Sequence, residues 1–233
     1  MMRFLQRDSR IKHQLQLISV HIPKCAGTSF RNSLKAVYGE DSVVRLDISL
    51  QDEHIRVNEE NWESSKIPTK VKVAHGHFSP ALFQKHFRGN DAPYITWLRH
   101  PVDRVISNYY YLAKRLAEEL KEEEKGLNIL SKMQRTLLEY AADPLNQNRI
   151  SKFLAGHTLE DFLFVGIQEF YEEDLQDLSS KLNWKETPYF RHNITGTKRE
   201  VDAAVRQQIA DYNAEDMECY QQALRLREKR RKA

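Results

Sequence analysis

Leu15-Gln-Leu-Ile-Ser-Val-His-Ile22, followed by Pro23-Lys-Cys-Ala-Gly-Thr-Ser-Phe30, is the segment from which the remaining chain can be interpreted. The first half is a short apolar run rich in β-branched residues, the pattern of a buried strand. It breaks at Pro23 and passes one glycine. From Thr28 or Ser29 it resumes with helical spacing, Phe30, Leu34, Val37 and Tyr38 recurring on one face. Strand, tight loop and helix in that order aim backbone N–H groups and the positive end of a helix at one point, which suits an anion such as phosphate or sulfate. Lys24 adds a full positive charge inside the loop. The same pattern also describes an ordinary strand-to-helix turn, so the other segments have to discriminate.

Those segments alternate strand and helix. Ser42–Leu46 and Lys70–Ala74 read as strands, the second running into His75-Gly-His77, while residues 47–66 carry no clear period. Ser79 offers a helix cap with Pro80 at the first helical position, and Leu82, Phe83, His86 and Phe87 form one face. Tyr94–Leu98 is a strongly β-like run ending in Arg99-His-Pro101, and a long helix follows from Val102 to Leu120. Glu118–Lys125 is a charge run suited to a solvated helix end or a connection.

Beyond Gly126, Leu127–Ala142 reads as helix and stops at Asp143-Pro144. Asn148–Leu154 is a short helix closed by Gly156, Thr158 starts another, and Phe164–Ile167 is a last core strand before a helix from Phe170 to Leu182. Residues 183–198 read as irregular, Val201–Leu226 as one or two terminal helices, and the basic tail from about 226 to 233 is expected to fray. The expected fold is α/β, a mainly parallel sheet flanked by helices with extra C-terminal helices, in a single domain over residues 1–233. Ligands of such sheets bind beyond the carboxyl ends of the strands. Three loops would open on that rim: Pro23–Ser29, His75–His77 and Arg99–Ser107.

Composition narrows the function classes. With 233 residues the chain can bury a sizeable core, and a net charge of only +3 argues against a nucleic-acid partner. Cys25 and Cys219 lie too far apart in sequence for a metal-ligand pair or a disulfide framework, and no metal is expected. The polar start and the lack of a long apolar run lead us to expect no leader, no membrane span and a cytoplasmic protein.

A nucleotide-kinase loop is the first comparison for Pro23–Ser29, and the fit is poor. Lys24 precedes Gly27, whereas the Walker pattern places lysine after two spaced glycines, directly before Ser or Thr. The strand where a magnesium-binding acid would be expected ends in Arg99, which suits an anion and repels a metal.

His21-Ile-Pro-Lys-Cys-Ala-Gly-Thr-Ser29 resembles the 5′-phosphosulfate loop of sulfotransferases that use the donor PAPS (3′-phosphoadenosine 5′-phosphosulfate), in particular the carbohydrate type that includes heparan sulfate 2-O-sulfotransferases. Leu98-Arg-His-Pro-Val-Asp-Arg-Val-Ile-Ser107 resembles the same family's 3′-phosphate motif, and His75-Gly-His77 its base-bearing segment. Asn148–Gly156 and Val165–Glu169 are similar to family segments as well, so the resemblance runs from about Leu15 to Arg199. Cys25 departs from the expected Thr or Ser.

The resemblance implies a P-loop-like sulfotransferase fold and in-line transfer of a sulfuryl group from PAPS to a hydroxyl of a carbohydrate-like acceptor, leaving adenosine 3′,5′-bisphosphate. It gives Lys24 the charge on the leaving phosphate oxygen. The backbone of Ala26, Gly27 and Thr28, with the Thr28 and Ser29 hydroxyls, would hold the 5′-phosphate, and Arg99 and Ser107 the 3′-phosphate. His77 is the expected general base; the residues alone leave His75 nearly its equal, with His100 behind both. Thr197, Lys198 and Arg199 would belong to a basic loop over the donor. Asn148 and Arg149 are candidate acceptor contacts, and Arg104 reads as structural. The competing readings are a P-loop-like nucleotide kinase and a non-catalytic module that binds nucleotide or sulfated glycan.

Overall fold

The computed structural model describes residues 15–120, 135–190 and 200–232. The strands are β1 (Leu17–Val20), β2 (Val43–Ile48), β3 (Ile55–Val57), β4 (Glu60–Asn61), β5 (Val73–Gly76), β6 (Tyr94–Leu98) and β7 (Phe164–Ile167). The helices are α1 (Gly27–Tyr38), α2 (Pro80–His86), α3 (Pro101–Leu120), α4 (Leu137–Ala142), α5 (Arg149–Leu154), α6 (Tyr171–Lys181), α7 (Ala203–Tyr212) and α8 (Ala214–Lys232).

The seven strands form one sheet in the order β4-β3-β2-β5-β1-β6-β7. From β2 to β7 every neighbouring pair is parallel, and only β3 and β4 run antiparallel to their neighbours. The sheet is therefore mixed, mostly parallel and flanked by helices. β1, β6 and β7 are buried along their whole length, which is why they read as mainly apolar runs rather than alternating ones. With β5 and β6 on either side of β1, the three loops at their carboxyl ends come together on one rim.

Two polar groups inside the sheet are satisfied locally. Thr96 Oγ1 donates to the Val20 carbonyl at 2.9 Å, and Ser19 Oγ lies 2.9 Å from His75 Nδ1, its register partner on β5. Ser79 caps α2 as expected, accepting from the Leu82 amide at 3.2 Å with Pro80 next in the chain. A second apolar cluster joins α3, α4 and α7 through Val102, Val105, Ala141 and Ile209.

Several expectations need correction. The unreadable 47–66 segment contains the β3–β4 hairpin on the edge of the sheet. The helix expected over Leu127–Ala142 begins, among the described residues, only at Leu137, where Thr136 and Glu139 cap each other reciprocally. Thr158 starts a single 3₁₀ turn over Leu159–Asp161 rather than a helix. The tail expected to fray is the end of α8, helical to Lys232. Arg227 Nε donates to the fully buried Asp174 at 2.7 Å, Arg230 reaches the same carboxylate at 3.1 Å, and Arg231 pairs with Glu173. Near its start, α8 sends Asp216 to the first turn of α5, where the carboxylate accepts from the Ile150 amide at 2.9 Å and the Ser151 amide at 2.8 Å.

Candidate active site

The loop after β1 is held in an unusual backbone conformation. Lys24 (φ 69°) and Ala26 (φ 60°) are both left-handed, which costs about 1–2 kcal/mol for each non-glycine residue. Such strain concentrates where a chain must present its amides to a ligand. Ala26 stands at the N-cap of α1 and supplies no side-chain cap, and the first turn carries no acid. The positive end of a twelve-residue helix therefore points at the loop without a side chain from the cap position to neutralise it. Gly27 is required here by space: a Cβ would lie 1.8 Å from His21 Nε2, so the imidazole packs directly against the helix start.

Two cations flank the loop. Arg99, at the carboxyl end of β6, donates to the Lys24 carbonyl at 3.4 Å. Lys24 carries its ammonium 3.9 Å from the ring centroid of Tyr111 on α3, and burial followed by the charge of Arg99 pulls its pKa below the ordinary lysine value. Cys25 is fully buried, and burial pushes its thiol up to about 12, so it has no thiolate character for nucleophilic attack.

Three imidazoles form the opposite wall. His21 stacks on His77 (centroids 4.3 Å apart) and on His75 (5.1 Å). His77 Nδ1 lies 2.7 Å from the His21 carbonyl oxygen; because a carbonyl only accepts, Nδ1 carries the proton and Nε2 keeps its lone pair. The Asp47 carboxylate on β2 accepts from the His77 backbone amide at 3.0 Å and fixes the residue from the other side. Burial lowers the His77 pKa, outweighing the opposing pull of Asp47. His75 is only 3% exposed, tied to Ser19, and burial drives its pKa down to about 3. The two histidines that the residue pattern left nearly equal thus occupy different environments, His75 against Ser19 and His77 against the His21 carbonyl.

A cleft of about 1080 Å³ joins these elements, and its walls include Lys24, Ala26, Gly27, Thr28, Ser29, Arg99, Ser107, His75 and His77. Three basic residues not anticipated from sequence, Arg31, Lys35 and Arg45, line it too. Arg31 and Lys35 are half-buried one turn apart on α1, and Arg45 sits on β2, paired with Asp47 at 2.8 Å. Only their positions one and two turns beyond the loop, and in the strand beside β5, could have flagged them. Of the Tyr109–Tyr111 run, Tyr111 alone lines the cleft; Tyr109 packs on Tyr140.

Other expected contacts lie elsewhere. Asn148 does not line the cleft: its amide donates to Asn213 Oδ1 at 3.0 Å and its side chain accepts from the Asp216 amide at 3.4 Å, so it joins the α5 start to α8. Arg149 stacks over Phe153, whose ring is 6.2 Å from His77, placing it behind the base rather than on the wall. His100 is not among the lining residues and packs edge-on against Tyr220, and Arg104 is buried, donating to the Asn146 carbonyl at 3.3 Å. Thr197, Lys198 and Arg199 lie outside the described residues. Among the described residues no group of three or more His, Cys, Asp or Glu side chains is arranged to hold a metal, and no helix is long and apolar enough to cross a membrane.

The mostly parallel sheet opens, at the end of β1, into a loop with left-handed residues and an uncapped helix start, and Arg99 stands beside it at the end of β6, an arrangement suited to an anion. Residues 7–222 match a family model described as "Sulfotransferase family", and the chain belongs to that family, whose members transfer sulfuryl groups. Among solved structures, a sulfotransferase from Alicyclobacillus acidocaldarius is similar with a TM-score of 0.47 at 16% identity, covering 88% of this chain and 93% of that one. Mouse sulfotransferase SULT7A1 complexed with PAP has a TM-score of 0.45 at 12% identity, covering 87% of this chain and 65% of that one. No curated protein sequence matches the chain.

Proposed function

We propose that the chain is a PAPS-dependent O-sulfotransferase acting as one domain over residues 1–233, with a carbohydrate hydroxyl as acceptor, in the manner of the heparan sulfate 2-O type. The observation that carries this reading is the placement of His77, with its Nδ1 proton committed to His21, on the same cleft as Lys24 and Arg99. The cleft's chemistry fits such a donor: an uncapped helix start for one phosphate, and Arg99 with Ser107 for a second. PAPS, when bound, supplies a sulfuryl group on a phosphate leaving group.

In this reading His77 Nε2 takes the proton of the acceptor hydroxyl as its oxygen bonds to sulfur and the bond from sulfur to the phosphate oxygen breaks. Lys24 balances the charge that grows on that oxygen, and the Ala26, Gly27 and Thr28 amides, with the Thr28 and Ser29 hydroxyls, hold the 5′-phosphate. His75 keeps β1 and the loop in register and has no direct part. Thr197–Arg199 remain the candidate donor loop. The carbohydrate acceptor rests on the resemblance of the loop, histidine and arginine motifs.

Calorimetry tests the donor site. Adenosine 3′,5′-bisphosphate binds in preference to ATP without magnesium, and Arg99→Ala weakens it by about 10- to 100-fold, the value of a charged hydrogen-bonding contact. Preference for ATP would make the protein a nucleotide kinase instead. Tight bisphosphate binding without sulfate transfer from PAPS across a panel of glycan acceptors would leave a binding module.

A further inference from the structure

The Lys24 ammonium has no carboxylate partner among the described residues, and the charge of Arg99 repels it. Glu169 lines the same cleft, yet its oxygens are engaged by the His100 amide at 2.9 Å and the Tyr220 hydroxyl at 3.2 Å. What holds the ammonium is the ring face of Tyr111 at 3.9 Å, well inside the range of a cation–π contact. Tyr111 lies one turn beyond Ser107 on α3, and both residues line the cleft. The guanidinium of Arg115 stands 5.9 Å from the same ring. A lysine on a flexible four-carbon stem, half-buried beside another cation, would otherwise swing toward solvent.

We propose that Tyr111 is a positioning residue whose ring seats the Lys24 ammonium at the cleft wall while no nucleotide is bound and yields it to the phosphate of an incoming nucleotide. The inference rests on the donor-site reading above, in which Lys24 meets a phosphate oxygen. The seat keeps the ammonium desolvated and within the cleft, so that only a short movement separates the waiting lysine from the engaged one. It also competes mildly with the nucleotide, because the ring and a phosphate cannot both hold the same ammonium.

The test is carbon NMR of the full chain with its lysines reductively methylated with ¹³C, a modification that keeps the positive charge, and with the Lys24 signal identified by Lys24→Arg. The Lys24 methyl signal is expected upfield of the exposed lysines through the ring current, to stay there in Tyr111→Phe, and to join the exposed lysines in Tyr111→Leu. Saturating adenosine 3′,5′-bisphosphate moves it off the ring, and calorimetry shows about two- to fivefold tighter nucleotide binding in Tyr111→Leu, the ring no longer competing. A signal without ring-current shift, or one that stays upfield at saturation, overturns the proposal. So does weaker nucleotide binding in Tyr111→Leu, which would make the ring a nucleotide contact. Absence of any calorimetric binding would instead defeat the donor-site reading, while the comparison of the Phe and Leu variants still decides whether the seat exists.

Discussion

His77 Nδ1 and the carbonyl oxygen of His21 lie 2.7 Å apart, a contact between the end of β5 and the end of β1 that fixes one tautomer of the imidazole. The side chain and the loop that carries Lys24 are thereby coupled through a single hydrogen bond. His77→Ala is expected to lower sulfate transfer by about 10²- to 10⁴-fold, the usual contribution of a general base. Binding of adenosine 3′,5′-bisphosphate should stay near the parent value. Loss of both together would mean that His77 holds the loop rather than the proton.

The acid limb of activity follows from the same imidazole. Burial holds the His77 pKa below the ordinary value, so the base stays unprotonated as pH falls past about 6.5. A pH profile of kcat/KM for transfer should therefore show its acid midpoint below that of a free imidazole. A midpoint above about 7 would contradict the assignment.

Stability should fall with acid for the same reason. His21, His75 and His77 are all held below 6.5 in the fold, so the unfolded chain binds more protons as soon as pH drops through about 6.5. The stabilisation is complete above that pH and is lost progressively toward pH 3, where His75 itself titrates. Each histidine contributes a slope of up to about 1.4 kcal/mol per pH unit. Urea midpoints measured from pH 7 to pH 4 should show a shallower slope in His75→Gln than in the parent protein.

Gly27→Ala tests the contact between loop and stack. Its Cβ would meet His21 Nε2 at 1.8 Å, so the ring must leave its place against the helix start. A loss of about 1–3 kcal/mol in denaturant stability is expected, as for other overpacked sites, together with loss of bisphosphate binding. Normal binding in a stable Gly27→Ala protein would show that the ring can move at little cost.

At the far edge, Asp174→Ala removes a fully buried carboxylate that accepts from the Ile167 amide at 2.8 Å and pairs with Arg227 and Arg230. Breaking such a group should cost about 3–5 kcal/mol, read as a lowered urea midpoint. Glu173→Ala, whose carboxylate is mostly exposed, should cost far less.

The parts of the fold that sequence reveals are those whose signal is local. β1, β6 and β7 are mainly apolar, β-branched or aromatic runs, and the Ser79-Pro80 pair announces α2 by its own chemistry. The β3–β4 hairpin is hidden because its strands are two and three residues long and carry Arg56, Glu60 and Asn61. The basic tail reads as frayed because its counter-charges, Glu173 and Asp174, stand more than fifty positions upstream. Asn148 invites a substrate role for the same reason, its partners Asn213 and Asp216 being 65 and 68 positions away. His75 and His77 separate only through distant partners, Ser19 under one and the His21 carbonyl and Asp47 against the other.

The Asp216 carboxylate at the first turn of α5 bears on the order in which the molecule can be assembled. α5 carries Arg149 and Phe153, the backing of His77, yet its leading amides are satisfied by a residue in the last helix of the described chain. During synthesis, the sheet strands up to β7 leave the ribosome before that carboxylate exists. The support behind His77 can settle only when α8 arrives, and the same helix then closes over β7 through Arg230, which donates to the Val165 carbonyl at 3.1 Å. Maturation of the cleft is thus tied to the emergence of α8, and nascent chains halted before residue 216 would carry the loop and the histidines without Asp216 at the start of α5.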